Sequence, residues 1–511
     1  MRTLIRSDAD ANIGMGHVIR SLALADALLD AGHHVTWLGR WEPASLGARI
    51  RAAGAQAIAS AATPGGSDDL ALTLSHAAQS DWVLLDGYGF GAEFLQAVRR
   101  TGARVFVIDD APRLPYYDVD VLLDQNLHSS APEYRVPEEG RLLLGPRYAL
   151  LRSQFGRRPA WPPPAPEHAA NILVTMGGSD PKGVTLQVLT AMANLSSPTK
   201  AAPLHIRVVV GPANPRLAEI KAVATHLTMN VEVLIAVEDM CALMDWAHVA
   251  ITAAGSTCWE LACVGVPMIT IVTAPNQVPV AEGLARVGAS LNLGDAEQVK
   301  PEDIASALQA LLPDPLRRSE MARRGRDVVD GLGALRVAKA LTRHGRPAAS
   351  SEVSIRPANA GDARLLWNWA NDRSVRAVSF RKDPIPWEAH KDWFARRLHS
   401  PDVRIWVLEN AGKPVGQIRY ERTSDGKEAI LNFSVAAEQR GKGYGEYLVN
   451  STKDRALHEL NVPQITALVL EENAASANVF IRAGYWFQGI ETDTSSGSRC
   501  RRFIFREGDE L

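Results

Sequence analysis

The feature that most constrains the fold is the alternation of short apolar runs with helical patterns over residues 1–343. Runs such as HVTWLG (34–39), WVLLDGY (82–88) and RVFVIDD (104–110) predict buried parallel strands, each ending near glycine or aspartate. Stretches such as PGGSDDLALTLSHAAQ (64–79) and GAEFLQAVRR (91–100) predict the helices between them. Because a repeated strand–helix pattern forms a parallel sheet covered by helices, we expect an α/β fold.

Two polar stretches divide the 511 residues, a length typical of about three domains. Five prolines within residues 159–166 forbid helix or central strand and predict a stiff connector, and the polar stretch 344–352 predicts a linker. Beyond it, hairpin-like strands and a glycine-rich turn into a helix predict a mixed sheet with helices. We predict a Rossmann-like domain at 1–157, a second, nucleotide-binding Rossmann-like domain at 167–343, and an α+β domain at 353–511.

Composition indicates an ordinary globular protein, with 46% hydrophobic and 22% charged residues and a net charge of −2. The small net charge argues against nucleic acid as the main partner. The sequence contains no run of eighteen apolar residues, so we expect no membrane insertion. Asp8 and Asp10 interrupt any apolar signal core near the start, so we expect no signal sequence and a cytoplasmic protein whose oligomeric state stays open. No spacing predicts a metal, and the cysteines lack a C-x-x-C motif, which indicates thiols in a reducing compartment. They are Cys241, Cys258, Cys263 and Cys500.

The first predicted strand leads into a turn with two glycines, Gly14 and Gly16, followed by His17 at the start of a helix. The glycines alone fit an ordinary tight turn, with His17 an unremarkable first-turn residue. The amino end of a helix also binds anions, and a histidine there can move protons on a phosphorylated substrate. Aspartates end the next strands, and we expect local capping roles for them: Asp86, Asp109 and Asp110.

Two loops of the second domain suit a nucleotide. Gly178 and Ser179 follow its first predicted strand, where they form either a simple turn or a loop facing phosphate or sugar. Further on, Ser256 and Thr257 stand at a helix start, where hydroxyl and N–H groups suit a diphosphate. Glu260, one turn into that helix, suits ribose hydroxyls. TAPNQ (273–277) is a polar stretch at a strand end, where open α/β sheets bind ligands.

Together these stretches resemble the GT-B glycosyltransferase architecture and, within it, the UDP-sugar hydrolase family of pseudaminic acid biosynthesis. The resemblance implies that His17 orients or deprotonates the attacking water at the Gly14–Gly16 loop. It also implies that Tyr88 and Asn276 contact the sugar, with Gln277 and Gly178 beside the substrate, and that Ser256, Thr257 and Glu260 hold UDP. The matching stretches are RSDADANIGMGHVIRSLALA, DGYGF, LLGPRYALLRSQF, ILVTMGGSDPKG and AGSTCWELACVGVPMITI, with NQ at 276–277.

In the third domain, QRGKGYG (439–445) follows the strand ILNFSV and opens a helix. Successive N–H groups of such a turn can surround an anion, although a glycine-rich solvent turn is the alternative. The pattern resembles the pyrophosphate loop of GCN5-related N-acetyltransferases (GNAT), and NAASANVFIRAGY (473–485) resembles that family's asparagine-bearing helix. The resemblance implies that acetyl-CoA is the co-substrate. The residues it places at acetyl-CoA are Phe433, Val435, Arg440, Gly441, Lys442, Gly443, Tyr444, Gly445 and Asn473.

One position departs from that family. Phe480 stands where many members carry a tyrosine that protonates the CoA thiolate, so the proton source is left open among Tyr485, Glu472, Ser434 and unaided departure.

The fusion itself predicts consecutive reactions. The acetyltransferase would acetylate UDP-4-amino-4,6-dideoxy-N-acetyl-β-L-altrosamine, and the hydrolase would then cleave UDP-2,4-diacetamido-2,4,6-trideoxy-β-L-altropyranose. Two alternatives stay open: a GT-B glycosyltransferase fused to a RimI-like protein acetyltransferase, and a non-catalytic sugar-nucleotide sensor fused to an acetyltransferase.

Overall fold

The computed structural model describes residues 1–506 except 11–12, 43, 130–132, 157–165, 179, 194, 196–202, 212–213, 236, 238, 343–352 and 494–495. The predicted linker 344–352, most of the proline-rich connector and Ser179 therefore lie outside the described residues. Within the described part, no helix is long and apolar enough to cross a membrane.

The first sheet has seven parallel strands in the order β3-β2-β1-β4-β5-β6-β7. Its strands are β1 (Arg2–Ser7), β2 (His34–Gly39), β3 (Gln56–Ala59), β4 (Trp82–Asp86), β5 (Arg104–Ile108), β6 (Val121–Asp124) and β7 (Arg141–Leu144). Its helices are α1 (Gly16–Asp30), α2 (Ser45–Ala52), α3 (Ser67–Ala77), α4 (Ala92–Arg99) and α5 (Ser153–Gly156). The central strands are almost wholly buried, as expected for a parallel sheet covered on both faces.

The second sheet has six parallel strands in the order β10-β9-β8-β11-β12-β13. They are β8 (Asn171–Thr175), β9 (His205–Val210), β10 (Asn230–Ile235), β11 (Val249–Ala253), β12 (Met268–Val272) and β13 (Ser290–Asp295). The helices are α6 (Val184–Ala193), α7 (Leu217–His226), α8 (Met240–Trp246), α9 (Thr257–Val264), α10 (Val278–Arg286), α11 (Pro301–Leu311), α12 (Pro315–Val328) and α13 (Gly333–Thr342).

The third sheet is mixed, with the order β14-β15-β16-β17-β18-β20-β19 and a single parallel pair, β17 with β18. Its strands are β14 (Val353–Pro357), β15 (Val403–Asn410), β16 (Lys413–Arg422), β17 (Ala429–Val435), β18 (Gln464–Leu470), β19 (Trp486–Thr492) and β20 (Arg499–Arg506). Its helices are α14 (Ala363–Ala370), α15 (Arg373–Ala377), α16 (Trp387–Leu398), α17 (Tyr444–Leu460) and α18 (Ala474–Arg482). Helices α17 and α18 pack on an aromatic core that includes Phe480 and Tyr485.

The chain forms two compact units, one that holds both parallel sheets and one that holds the mixed sheet. The predicted fold class, two Rossmann-like domains followed by an α+β domain, is confirmed. All four cysteines are buried, and none forms a disulfide.

Candidate active sites

His17 lies where the order of the first sheet reverses, at the carboxyl ends of β1 and β4. Open α/β sheets bind their ligands at such switch points. The turn after β1 depends on Gly14, whose φ of +78° suits only glycine, and on Asp10, which accepts the backbone N–H of Ile13 through Oδ1 at 2.8 Å. Helix α1 then begins at Gly16, so His17 lies in the first helical turn, where its side chain is only 7% exposed.

The His17 ring is held by a buried carboxylate at the end of β4. Nδ1 lies 2.6 Å from Asp86 Oδ1 and 3.1 Å from Arg20 Nη2. Burial by itself would raise the pKa of Asp86, but Arg20 and His17 hold it well below its usual range, so the group is a carboxylate. A carboxylate accepts a proton and cannot donate one, which makes Nδ1–H the donor and leaves the lone pair on Nε2.

Arg20 binds that carboxylate and a second one. Its Nη2 lies 2.6 Å and its Nε 3.0 Å from the two oxygens of Asp86, and its Nη1 donates to Asp110 Oδ1 at 2.6 Å. The other oxygen of Asp110 accepts the hydroxyl of Tyr88 at 2.7 Å. The Tyr88 ring meets the His17 ring edge-on, with 4.9 Å between centroids, and Tyr88 is 47% exposed. One contiguous cluster therefore joins a buried histidine to a tyrosine that a substrate can reach.

The local capping role expected for the strand-end aspartates holds for one of the three. Asp109 binds Arg113 and Tyr117, both within eight residues. Asp86 and Asp110 instead bind residues of α1 that lie 65 to 90 positions away in the sequence, so the local role expected for them is wrong. Sequence reasoning also missed Arg20, although a spacing of three places it on the helix face of His17.

Loops of the second sheet approach the histidine turn. A Cβ added to Gly16 would lie 3.9 Å from Ser256 Oγ, and one added to Gly178 would lie 3.2 Å from Met15 Cε. Burial raises the pKa of the Tyr88 hydroxyl, and the Asn276 side chain, on the short helical turn before α10, lies close enough to act in the opposite direction. Because β8 and β11 flank the reversal of the second sheet, these contacts bring the switch points of the two sheets close together.

The predicted diphosphate residues lie at the amino end of α9. Ser256 precedes the helix and Thr257 begins it, and no side chain caps this end. Gln277 accepts the N–H and hydroxyl of Thr273 through Oε1 at 2.9 and 3.0 Å, while its Nε2 lies 4.0 Å from a Cβ added to Gly255. This end therefore offers hydroxyl, amide and helix N–H donors of the kind that bind phosphate.

Glu260 lies one turn into α9. Burial raises its pKa, while Arg152, with Nη2 3.5 Å from Oε1, acts in the opposite direction. The structure therefore pairs this glutamate with an arginine that sequence reasoning did not single out.

In the mixed sheet, the strands beside the glycine loop diverge. Pairing of β17 with β18 ends at Leu431 and Ala467, although β17 continues to Val435 and β18 to Leu470. Such a gap exposes backbone donors and acceptors of one strand to an extended ligand. Phe433 and Val435 lie on this diverging part of β17.

The glycine loop itself contains two kinds of glycine. Gly441 and Gly443 have φ of +79° and +84°, and a Cβ on either would meet no atom within 4 Å. A Cβ on Gly445 would instead lie 3.0 Å from Phe433 Cε2, so Gly445 allows α17 to pack on β17. Open space with left-handed backbone at the first two positions suits an anion held by N–H groups.

The side chains of this loop bind neighbouring protein groups. Arg440 donates from Nη1 to Ser374 Oγ at 2.5 Å and from Nε to the Val435 carbonyl at 3.1 Å. Lys442 Nζ donates to Gln439 at 2.9 Å, and the Tyr444 hydroxyl accepts the Asn410 amide at 2.8 Å. The loop is therefore anchored by its side chains, while its backbone is left to face a ligand.

Asn473 caps α18, because its Oδ1 accepts the N–H of Ser476 at 3.1 Å. Phe480 is buried against Phe433, with 5.5 Å between ring centroids. Tyr485 is 0% exposed, and burial raises its pKa well above the usual value, so it is a core residue and an unsuitable proton donor. The proton source then stays open among Ser434, which accepts Gln417 Nε2 at 3.3 Å, the exposed Glu472 and unaided departure of the thiolate.

No group of three or more His, Cys, Asp or Glu side chains is arranged to hold a metal ion within the described ranges.

Two family models match the chain. Residues 171–332 match the glycosyltransferase family 28 C-terminal domain, and residues 352–485 match the acetyltransferase (GNAT) domain. The chain thus joins a domain of the class found in sugar-nucleotide enzymes to a GNAT acetyltransferase domain, as the sequence resemblances predict.

Related proteins are similar to the whole chain, to the part with the two parallel sheets, or to the acetyltransferase domain. An uncharacterised protein of Methanocaldococcus jannaschii is 21% identical over 95% of this chain and 96% of its own length. The UDP-2,4-diacetamido-2,4,6-trideoxy-beta-L-altropyranose hydrolase of Campylobacter jejuni is 24% identical over 56% of this chain and 97% of its own length. The spermidine N(1)-acetyltransferase of Vibrio cholerae is 24% identical over 27% of this chain and 82% of its own length.

Proposed function

We propose that the chain is a bifunctional nucleotide-sugar enzyme of pseudaminic acid biosynthesis. Its C-terminal domain N-acetylates UDP-4-amino-4,6-dideoxy-N-acetyl-β-L-altrosamine with acetyl-CoA, and its N-terminal part hydrolyses the diacetamido product to UDP and the free sugar. The observation that carries the hydrolase half is the His17–Asp86 pair at 2.6 Å, beside the exposed Tyr88 at the switch point of the first sheet. The likeness to the Campylobacter jejuni hydrolase over nearly all of that enzyme supports the substrate.

For hydrolysis, His17 Nε2 takes a proton from a water whose oxygen attacks the anomeric carbon. The bond between that carbon and the diphosphate oxygen breaks, and UDP leaves with the electron pair. Asp86 holds the ring in the tautomer that this step needs, which makes it the orienting residue. Ser256, Thr257 and the amino end of α9 bind the diphosphate, Gln277 adds an amide donor, and Tyr88 and Asn276 contact the sugar.

For acetylation, the substrate amine attacks the carbonyl carbon of the thioester, and the C–S bond breaks with its electron pair going to sulfur. The proton that the nitrogen loses balances the one that the departing thiolate gains as CoA–SH. Gly441 and Gly443 bind the pyrophosphate through backbone N–H groups, and the gap between β17 and β18 holds the pantetheine arm. The Vibrio cholerae relative is named for acetylating an amine, which supports an amine acceptor here.

One assay tests both halves. The purified chain receives the UDP-4-amino sugar and acetyl-CoA, and mass spectrometry follows CoA, UDP and the diacetamido sugar. We expect all three, with CoA released first. UDP release that requires an added sugar or lipid acceptor would instead identify a glycosyltransferase, and acetylation of peptides but not of the amino sugar would support the protein acetyltransferase. Tight binding of the UDP-sugar without turnover would support the sensor.

We also propose that domain boundaries fall at 157/167 and 343/353. Fragments 1–343 and 353–511 should then be separately soluble, the first active as hydrolase and the second as acetyltransferase. Mixed at low concentration, they should form the final sugar after a longer lag than the intact chain, because the intermediate must diffuse. An insoluble or inactive first fragment would overturn the boundary at 343.

A further inference from the structure

The cluster around His17 contains a buried cation, Arg20, a buried carboxylate, Asp86, and a partly buried carboxylate, Asp110. Arg20 lies between Asp86 and Asp110, with a guanidinium nitrogen 2.6 Å from each, and its Nη2 is also 3.1 Å from His17 Nδ1. When the His17 imidazole is neutral, the net charge of Arg20, Asp86 and Asp110 is one negative charge. When the imidazole is protonated, the net charge of the cluster is zero. Arg20 therefore balances two carboxylates, of which one holds the His17 ring and the other holds the Tyr88 hydroxyl.

We propose that Arg20 is a positioning residue that fixes Asp86 against His17 and Asp110 against Tyr88, so that a single cation sets both the proton affinity of the base and the place of the sugar contact. This inference rests on the hydrolysis proposed above and assigns a role to the two residues, Arg20 and Asp110, that the reaction scheme leaves unused.

The geometry shows why one arginine can serve both carboxylates. Its planar guanidinium presents Nε and Nη2 to Asp86 and Nη1 to Asp110, a fork that a lysine ammonium cannot reproduce. Burial would lower the pKa of Arg20, but Asp110 and Asp86 raise it well above the usual value, so the cation is permanent. For Asp110 the signs are reversed: burial would raise its pKa, but Arg20 and the Tyr88 hydroxyl keep that pKa below its usual value.

Three titratable or charged groups contact the His17 ring in the part of the chain that the structure describes, and a fourth, Asp110, binds two of these three. Arg20 comes from α1, Asp86 from the end of β4, Tyr88 from the loop that follows, and Asp110 from the residues after β5. A charge within about 4–6 Å commonly moves a titration by one pH unit or more. Removing the cation should therefore favour the protonated ring, and removing one carboxylate should disfavour it.

The test measures the titration midpoint of the His17 ring directly, by NMR of the full chain labelled at histidine, with the signal assigned through His17→Asn. We expect Arg20→Met to raise the midpoint by about one pH unit or more and Asp110→Asn to lower it by about as much. Arg20→Lys should keep the midpoint near that of the parent while raising KM for the UDP-sugar, because one ammonium cannot hold both carboxylates.

The acid limb of the pH profile of kcat/KM should move in the same direction as the midpoint. Arg99→Met, which removes a cation paired with Asp118 at 3.0 Å, is the control and should leave the midpoint unchanged.

Midpoints that move the same way in Arg20→Met and Asp110→Asn, or do not move, would overturn the inference. If Arg20→Met fails to fold, Asp110→Asn decides alone, because Arg20 and Asp86 remain paired in it. The NMR midpoint needs no turnover, so opposite shifts in a chain that releases no UDP would retain the role of Arg20 and reject the hydrolysis.

Discussion

The two glycine turns of this chain, Gly14–Gly16 and Gly441–Gly445, both join a strand to a helix, but they prepare different chemistry. Behind the first turn, the helix carries a buried histidine and a buried arginine bound to carboxylates from two other strands. Behind the second, the side chains bind nearby protein groups, and the open space lies over the backbone of Gly441 and Gly443. The first turn therefore positions side chains for proton transfer, whereas the second exposes N–H groups for binding.

The largest expected effect tests the proposal that the Gly14–Gly16 turn positions a side chain, His17, for proton transfer. His17→Asn keeps a polar group but removes the base, so UDP release should fall by about 10²–10⁴. UDP affinity and acetylation should stay near the parent values, because the proposed UDP contacts lie at α9 and the acetyl-CoA loop lies in another domain. The measurement is UDP release from pre-acetylated substrate, with isothermal titration for UDP. Normal turnover by this variant would remove His17 as the base.

The next largest effect tests the proposal that the Gly441–Gly445 turn binds its ligand through backbone N–H groups. Gly443→Glu puts a residue with a side chain at a backbone φ of +84°, which strains the loop, and it places an anion where pyrophosphate should bind. Acetyl-CoA affinity should therefore fall by about 10- to 100-fold. Gly443→Ala is the matched control, since it brings the strain without the charge and should lose less. Hydrolysis of pre-acetylated substrate should persist. Loss of both activities in a folded variant would contradict separate sites.

These two sites also differ in how far the sequence could predict them. Strand–helix alternation and the glycine turns are local patterns, so the fold class and the places of His17 and the 439–445 loop could be predicted. The partners of His17 could not, because Asp86 and Asp110 reach α1 only through the strand order β1-β4-β5, and a local pattern does not determine that order. The same limit hid the pairing of Glu260 with Arg152 and the burial of Tyr485, which are set by packing between distant segments.

A smaller effect separates the glycines of the second turn from each other. Gly445 lies in the first turn of α17, where alanine would normally stabilise a helix, but an added Cβ would approach Phe433 Cε2 to 3.0 Å. We expect Gly445→Ala to lower the free energy of unfolding by about 1–3 kcal/mol through overpacking. Acetyl-CoA affinity, measured at a temperature where the variant is folded, should change less than in Gly443→Glu. A stable variant that has lost acetyl-CoA binding would place Gly445 at the ligand instead.

The smallest effect concerns Asn473, which the GNAT resemblance places at acetyl-CoA and the structure shows as the cap of α18. Asn473→Ala removes the acceptor for the Ser476 N–H and should cost about 1 kcal/mol of stability, as loss of a helix cap commonly does. Asn473→Asp keeps an acceptor oxygen at that position and should retain the cap, but it replaces the amide N–H donors with a negative charge. Thermal unfolding of the two variants therefore measures the cap, and their KM for acetyl-CoA measures ligand contact. If Asn473→Asp matches the parent in both measurements, the residue serves only α18. If it is as stable as the parent but has a raised KM, the amide also contacts acetyl-CoA, and the second site then uses a side chain as the first does.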